Sequence, residues 1–202
     1  QAAEKLQASF RPVRGAFIVV PRANKVPIQY FERTLPELGD LNRLYPGDPN
    51  GLPMARMAAQ IVDAAREFHV DALLDMHESW AFYNDRPQNG TAFLGQTVAT
   101  APTEPALSLV HQVVEAVNTR IQAPREEFFD RAFPGPQNGA GLPGATPAGG
   151  GSMTSSLSLP RFIPNIIAIL VEMGQQQPIE RRVALHIEVF MELARRLGVA
   201  DA

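Results

Sequence analysis

Ala72-Leu73-Leu74-Asp75-Met76-His77-Glu78-Ser79 opens as a short apolar run and closes on groups that can do chemistry. An apolar run of this kind reads as a buried strand. Buried strands of open α/β sheets deliver such residues at their carboxyl ends, where ligands collect. A histidine beside two carboxylates and a hydroxyl can hold a metal or move a proton. The same letters also suit a helix start, with Asp75 or Ser79 capping the turn that follows. This stretch alone leaves both readings open.

Its neighbours favour the strand. Upstream, Leu52 to Phe68 places Met54, Met57, Ala58, Ile61, Ala65 and Phe68 at steps of three and four, one face of a helix. Pro53 sits where a first helical turn tolerates it, and the methionines read as core filling. Gly15 to Val20 is a β-branched and aromatic run stopped by Pro21, which predicts a buried strand. From Pro21 to Gly51 runs a long, polar, proline-marked connection, of a length that often carries function.

Downstream, Glu104 to Ile121 carries Leu107, Val110, Val114, Val117 and Ile121 and predicts a second amphipathic helix. Ile166 to Val171 is the most apolar run in the chain and ends in Glu172-Met173-Gly174. A last helix is expected from Pro178 to Leu197, with Gly198 as its stop. Strand and helix alternating in this way predict an α/β sheet. His111 falls on a helix surface, His186 beside an apolar stripe, and His69 has no chemical partner near it in sequence.

Residues 134–152 are dominated by glycine and proline, a composition that predicts a long mobile loop. Gly139-Ala140-Gly141-Leu142-Pro143-Gly144 has the spacing of a dinucleotide fingerprint. No strand precedes it and Pro143 interrupts the turn, so it carries no weight.

The 202 residues suit a single domain over 1–202, able to bury roughly 70% of its unfolded surface. A hydrophobic content of 45% against 19% charged residues indicates a globular core. The net charge of −3 offers no basic footprint for nucleic acid, and no apolar run approaches the roughly 20 residues of a membrane helix. With no cysteine, disulfides, thiolate metal sites and a cysteine nucleophile are excluded. The chain starts at Gln1, and Ala2 to Ser9 reads like the last turns of a helix, so it is expected to begin partway into a domain.

Three polar clusters stand out: Asp40-Leu41-Asn42-Arg43, Asp75-Met76-His77-Glu78 and Glu172-Met173-Gly174. A strand-end carboxylate with an apolar approach suits general base work. An amide beside a guanidinium fork suits a substrate carboxylate. Each also has a plainer reading. Asp40 and Asn42 could shape a turn, Arg43 could be a surface charge, and Glu172 could cap the turn before the last helix.

Taken in order, Val20-Pro21-Arg22-Ala23-Asn24, Asp40-Leu41-Asn42-Arg43-Leu44-Tyr45-Pro46-Gly47, Leu74-Asp75-Met76-His77-Glu78 and Val171-Glu172-Met173-Gly174 resemble the succinylglutamate desuccinylase/aspartoacylase group of the zinc-carboxypeptidase superfamily. The resemblance implies a three-layer α/β/α sandwich around a mixed, mostly parallel sheet, with one catalytic Zn2+. On it, His77 matches the third zinc ligand, and Glu172 the glutamate that activates water and passes a proton to the leaving amine. Asn42 and Arg43 match the pair that binds the substrate carboxylate. Arg33 is the match for the arginine that polarises the scissile carbonyl, with Arg22 a weaker competitor.

Two departures accompany it. The group takes its first two zinc ligands from an HxxE motif, which this sequence lacks; its loss at the N-terminus is the expectation, and the chain alone is then expected to be inactive. The superfamily also commonly supplies a lid tyrosine from a late loop, and no tyrosine follows Tyr83. The resulting expectation is a zinc-dependent hydrolase cleaving an amide bond of an N-acyl amino acid or a short peptide with a free carboxylate. Its alternative is a non-catalytic binding domain of the same fold that holds an amino-acid-like ligand.

Overall fold

The computed structural model describes residues 1–87, 89, 91–133 and 155–201. The glycine- and proline-rich stretch 134–152 lies outside the described residues. The elements in chain order are α1 (Ala2–Ser9), α2 (Lys25–Gln29), α3 (Pro53–Glu67), β1 (Ala72–Ser79), β2 (Thr97–Thr100), α4 (Ala106–Asn118), β3 (Phe129–Ala132), β4 (Ile167–Gly174) and α5 (Ile179–Arg196). Short 3-10 turns at Leu41–Arg43 and Ser156–Arg161 fall between them. No helix among the described residues is long and apolar enough to cross a membrane.

The four strands form one mixed sheet in the order β1-β4-β2-β3, the expected α/β fold. β2 and β3 are parallel, with Thr97 level with Phe129 and Thr100 with Ala132. β1 and β4 are parallel as well. The N–H of Ile167 donates to the carbonyl of Asp71 at one end, and that of Gln175 to Ser79 at the other, with equal offset. In that register His77 lies level with Glu172, and level residues of parallel strands point to the same face.

The chain forms two compact units. Among the described residues, the first gathers 1–21, 74–133 and 170–201. Here α4 packs on β2 and β3, while α5 packs on α1 and α4. Phe10, Phe17 and Phe190 meet edge to face or tilted within about 5 Å of one another. Leu74 and Met76 pack against the same cluster, so the even-numbered residues of β1 face α1 and α5. The odd-numbered ones, Asp75 and His77, face the other way.

The second unit holds residues 22–73 and 155–169. Its core includes Tyr45, Met54, Ala58, Val62, Leu157 and Leu159. The buried face of α3 is Met54, Ala55, Ala58, Ala59, Val62 and Ala65, turned from the stripe expected from periodicity. Phe68 caps the helix and is exposed. The alanines explain the turn, because they let another backbone come close. A Cβ on Gly47 would fall 2.1 Å from the N of Ala59, and Gly47 has φ +98°. Only glycine serves there.

One expected strand is absent. Gly15 to Val20 forms no strand, starting from a bend at Gly15 with φ +73°, and Ile18 and Val20 are exposed. Phe17 alone of this run has an aromatic cluster to join. A run of β-branched residues fits a strand only where a neighbour satisfies its backbone, and sequence does not show the neighbour. β2 and β3, of four residues each, are too short for periodicity to reveal.

Candidate active site

Backbone alternation puts Asp75 and His77 on one face of β1, and the ring Nε2 lies 3.0 Å from Asp75 Oδ2. With the proton assigned to Nε2 as a donor to this carboxylate, Nδ1 presents its lone pair as the coordinating nitrogen. A carboxylate that orients a histidine in this way is the usual support of a metal ligand. The His77 side chain is one-fifth exposed, neither sealed in the core nor loose in water. Glu172, half-buried on β4, is level with it.

Glu78 points to the opposite face. Its Oε2 accepts from Arg182 Nη1 of α5 at 2.5 Å and from Gln175 Nε2 at 3.4 Å, so it ties a helix to the strand end. His186, one turn along α5 from Arg182, is 5% exposed. Burial lowers its pKa to about 4, with the nearby charges of His77, the Gln1 amino group and Arg182 adding to the effect.

Gln1-Ala2-Ala3-Glu4 has the spacing of HxxE with an amide in the first place, and it opens α1 with Glu4 in the first turn. Among the described residues no three His, Asp or Glu side chains form a group that could hold a metal. Glu4 Oε2 stands 3.5 Å from the Gln1 amino group, and the His77 ring lies on the face of β1 turned away from α1. Zinc accepts a carboxylate or an imidazole, and a catalytic site requires three protein ligands, of which His77 is the one the geometry supports.

In the second unit, Asp40 organises the Asp-Leu-Asn-Arg motif. Its Oδ1 accepts from the N–H of Asn42 at 3.1 Å and caps the turn Leu41–Arg43. Its Oδ2 receives both Nε and Nη2 of Arg33 at 3.0 Å. Asn24 Nδ2 donates to the Arg33 carbonyl at 2.8 Å. Asn42 Oδ1 accepts from the N–H of Ser156 at 2.9 Å, which orients the amide. Arg43 is exposed and donates Nη1 to the Asn42 carbonyl at 2.7 Å. The unit thus gathers Arg33, Asn42 and Arg43 around one turn, with Arg33 engaged by Asp40.

Residues 1–82 match the succinylglutamate desuccinylase/aspartoacylase catalytic domain family. Three of the four motifs fall inside that stretch; Val171 to Gly174 lies beyond it. No curated protein sequence matches the chain. Among solved structures, the Gln46His variant of the cell shape determinant protein Csd4 from Helicobacter pylori superposes with a TM-score of 0.78 at 19% identity. It covers 98% of this chain and 47% of that one. The mDAP-bound form of Csd4, described as a D,L-carboxypeptidase, gives 0.76 at the same identity and coverage. A succinylglutamate desuccinylase/aspartoacylase from Rhodobacter sphaeroides gives 0.62 at 19% identity, over 100% of this chain and 51% of that one. At these identities the likeness shows the fold, and the chain spans about half the length of the structures it matches. The resemblance read from the motifs is borne out by the family match and by this fold.

Proposed function

We propose that this chain carries the catalytic residues of a zinc-dependent hydrolase that cleaves an amide bond beside a free carboxylate. The substrate is an N-acyl amino acid or a short peptide. The observation that supports this most directly is His77, oriented by Asp75 and level with Glu172 on the adjoining strand. Of the residues that would hold the metal, His77 is the one the geometry supports. When bound, zinc would supply Lewis acidity for the scissile carbonyl and for water.

Glu172 takes a proton from the attacking water and returns it to the leaving amine. Its place in an apolar strand limits competing solvation of the carboxylate. Asn42 and Arg43 bind the substrate carboxylate, a task suited to an oriented amide and an exposed guanidinium. Arg33 polarises the carbonyl, for which it exchanges its bond to Asp40 for one to substrate. The description of Csd4 as a D,L-carboxypeptidase and of the Rhodobacter protein as a desuccinylase/aspartoacylase supports both substrate classes.

The test is a screen of the zinc-loaded protein against N-acyl amino acids and short peptides, including D,L-linked ones. Turnover of one class, lost when the free carboxylate is amidated, is the expected result. Among the described residues no three His, Asp or Glu side chains form a metal-holding group, which keeps a rival reading, a non-catalytic binding domain of the same fold. Ligand binding by calorimetry without turnover of any substrate would establish that rival.

A further inference from the structure

We infer that Gln96 is a positioning residue for Glu172, an assignment that rests on the proposed hydrolase reading. Gln96 is 1% exposed and is held at φ +63°, a left-handed conformation unusual for a residue with a side chain. Its side-chain amide is spent on the exit of β4. Oε1 accepts from the N–H of Gly174 at 3.0 Å and from Gln177 Nε2 at 3.1 Å. Nε2 donates to the carbonyl of Glu126 at 3.1 Å, and Glu126 is itself gripped by Nε and Nη2 of Arg181.

Gly174 is two residues beyond Glu172. The Gln96 amide takes the hydrogen bond that a further strand residue would have taken and so fixes where β4 ends. The backbone is equally confined: a Cβ on Gly95 would lie 2.5 Å from the Cα of Gly174. On the other side, the N–H of Gln175 donates to the Ser79 carbonyl, while Ser79 Oγ accepts from Leu94. The segment 94–96 therefore clasps the ends of β1 and β4 together. Gln176 and Gln177 extend the hold, the former accepting from Arg125 at 2.9 Å and the latter donating to the Gly174 carbonyl at 3.0 Å. A buried amide that commits two of its three hydrogen bonds to one strand exit forms an ordered network, and the proposed base lies two residues back on that strand.

Gln96→Met keeps length and bulk but removes all three bonds. With the best substrate from the screen, kcat should fall about 10- to 100-fold, as expected for a misplaced catalytic group, with KM within about twofold. Gln96→Glu, which when protonated can accept and donate like the amide, should recover most of kcat. Gln177→Leu removes one strand of the network, gives the same sign with a smaller loss, and serves if the methionine variant does not fold. A crystal structure of a folded variant should show the Glu172 carboxylate displaced. Unchanged kcat, or Glu172 unmoved despite lowered thermal stability, would overturn the assignment and leave Gln96 as a structural residue. Wild-type protein with no turnover sinks the hydrolase reading, and the displacement of Glu172 still decides what Gln96 does.

Discussion

Asp75 Oδ2 stands 3.0 Å from Nε2 of His77, a carboxylate two residues back on the same strand face. If His77 is a zinc ligand, this bond sets which ring nitrogen faces the metal. Asp75→Ala should therefore lower zinc affinity by roughly 10- to 100-fold, the usual cost of losing such support. His77→Ala should reduce it further. Competition titration with a chelator of known affinity measures both. Zinc bound equally tightly by wild type and His77→Ala would place the metal elsewhere.

Glu172→Gln keeps size and hydrogen-bonding reach but removes the proton acceptor. Turnover should drop by about a hundredfold or more, with zinc content and substrate affinity little changed. Near-full activity would remove Glu172 as the base. Glu78 makes a poor substitute, because Arg182 and Gln175 already hold it on the opposite face. Its tie to α5 predicts that Glu78→Gln lowers stability and leaves the chemistry nearly intact.

The parts of this molecule legible in its sequence are those where one pattern runs long enough to decide. β4 is apolar from Ile167 to Val171, and α3, α4 and α5 each run 13 residues or more with a regular stripe. Gly15 to Val20 has the composition of a strand without a partner, and partners are set by the whole chain. On α5 spacing alone sets Ile179, Val183, Ile187, Phe190, Leu193 and Leu197 on one inward face; Val183, Phe190 and Leu193 are buried, Leu197 is exposed, and His186 and Glu192 are buried as well. Arg120, Arg195 and Arg196 make burial of Glu192 possible by pairing with its carboxylate. Such compensation joins residues far apart in sequence. Gln96 is hidden for the same reason, since nothing in its neighbours' letters says that its amide ends β4.

Arg43 is exposed, with one guanidinium nitrogen fixed on the Asn42 carbonyl. Arg43→Ala should raise KM about 10- to 100-fold for substrates with a free carboxylate, in keeping with the loss of a hydrogen bond to a charged group. Amidated analogues should be affected far less. Steady-state kinetics on matched pairs of free and amidated substrates would separate the cases, and equal losses for both would assign Arg43 a structural task. Asn42→Ala should do more harm to folding, because Asn42 Oδ1 also accepts from the N–H of Ser156.

His186 gives the protein an acid limit. Its pKa falls from 6.5 to about 4, chiefly through burial, with positive neighbours adding to the shift. The neutral ring is thus favoured in the folded state. Above pH 6.5 the ring is neutral folded or unfolded, and this contribution to stability is fully present. As pH falls, the unfolded chain binds a proton that the folded chain refuses, so stability drains away between about 6.5 and 4. The full loss is about 3 kcal/mol at 1.36 kcal/mol per pKa unit. His186→Gln, which cannot charge, should flatten this part of the curve while costing some stability at neutral pH. Urea unfolding at several pH values between 4 and 7.5 measures it. A wild-type slope no steeper than the variant's would mean that another group sets the acid limit.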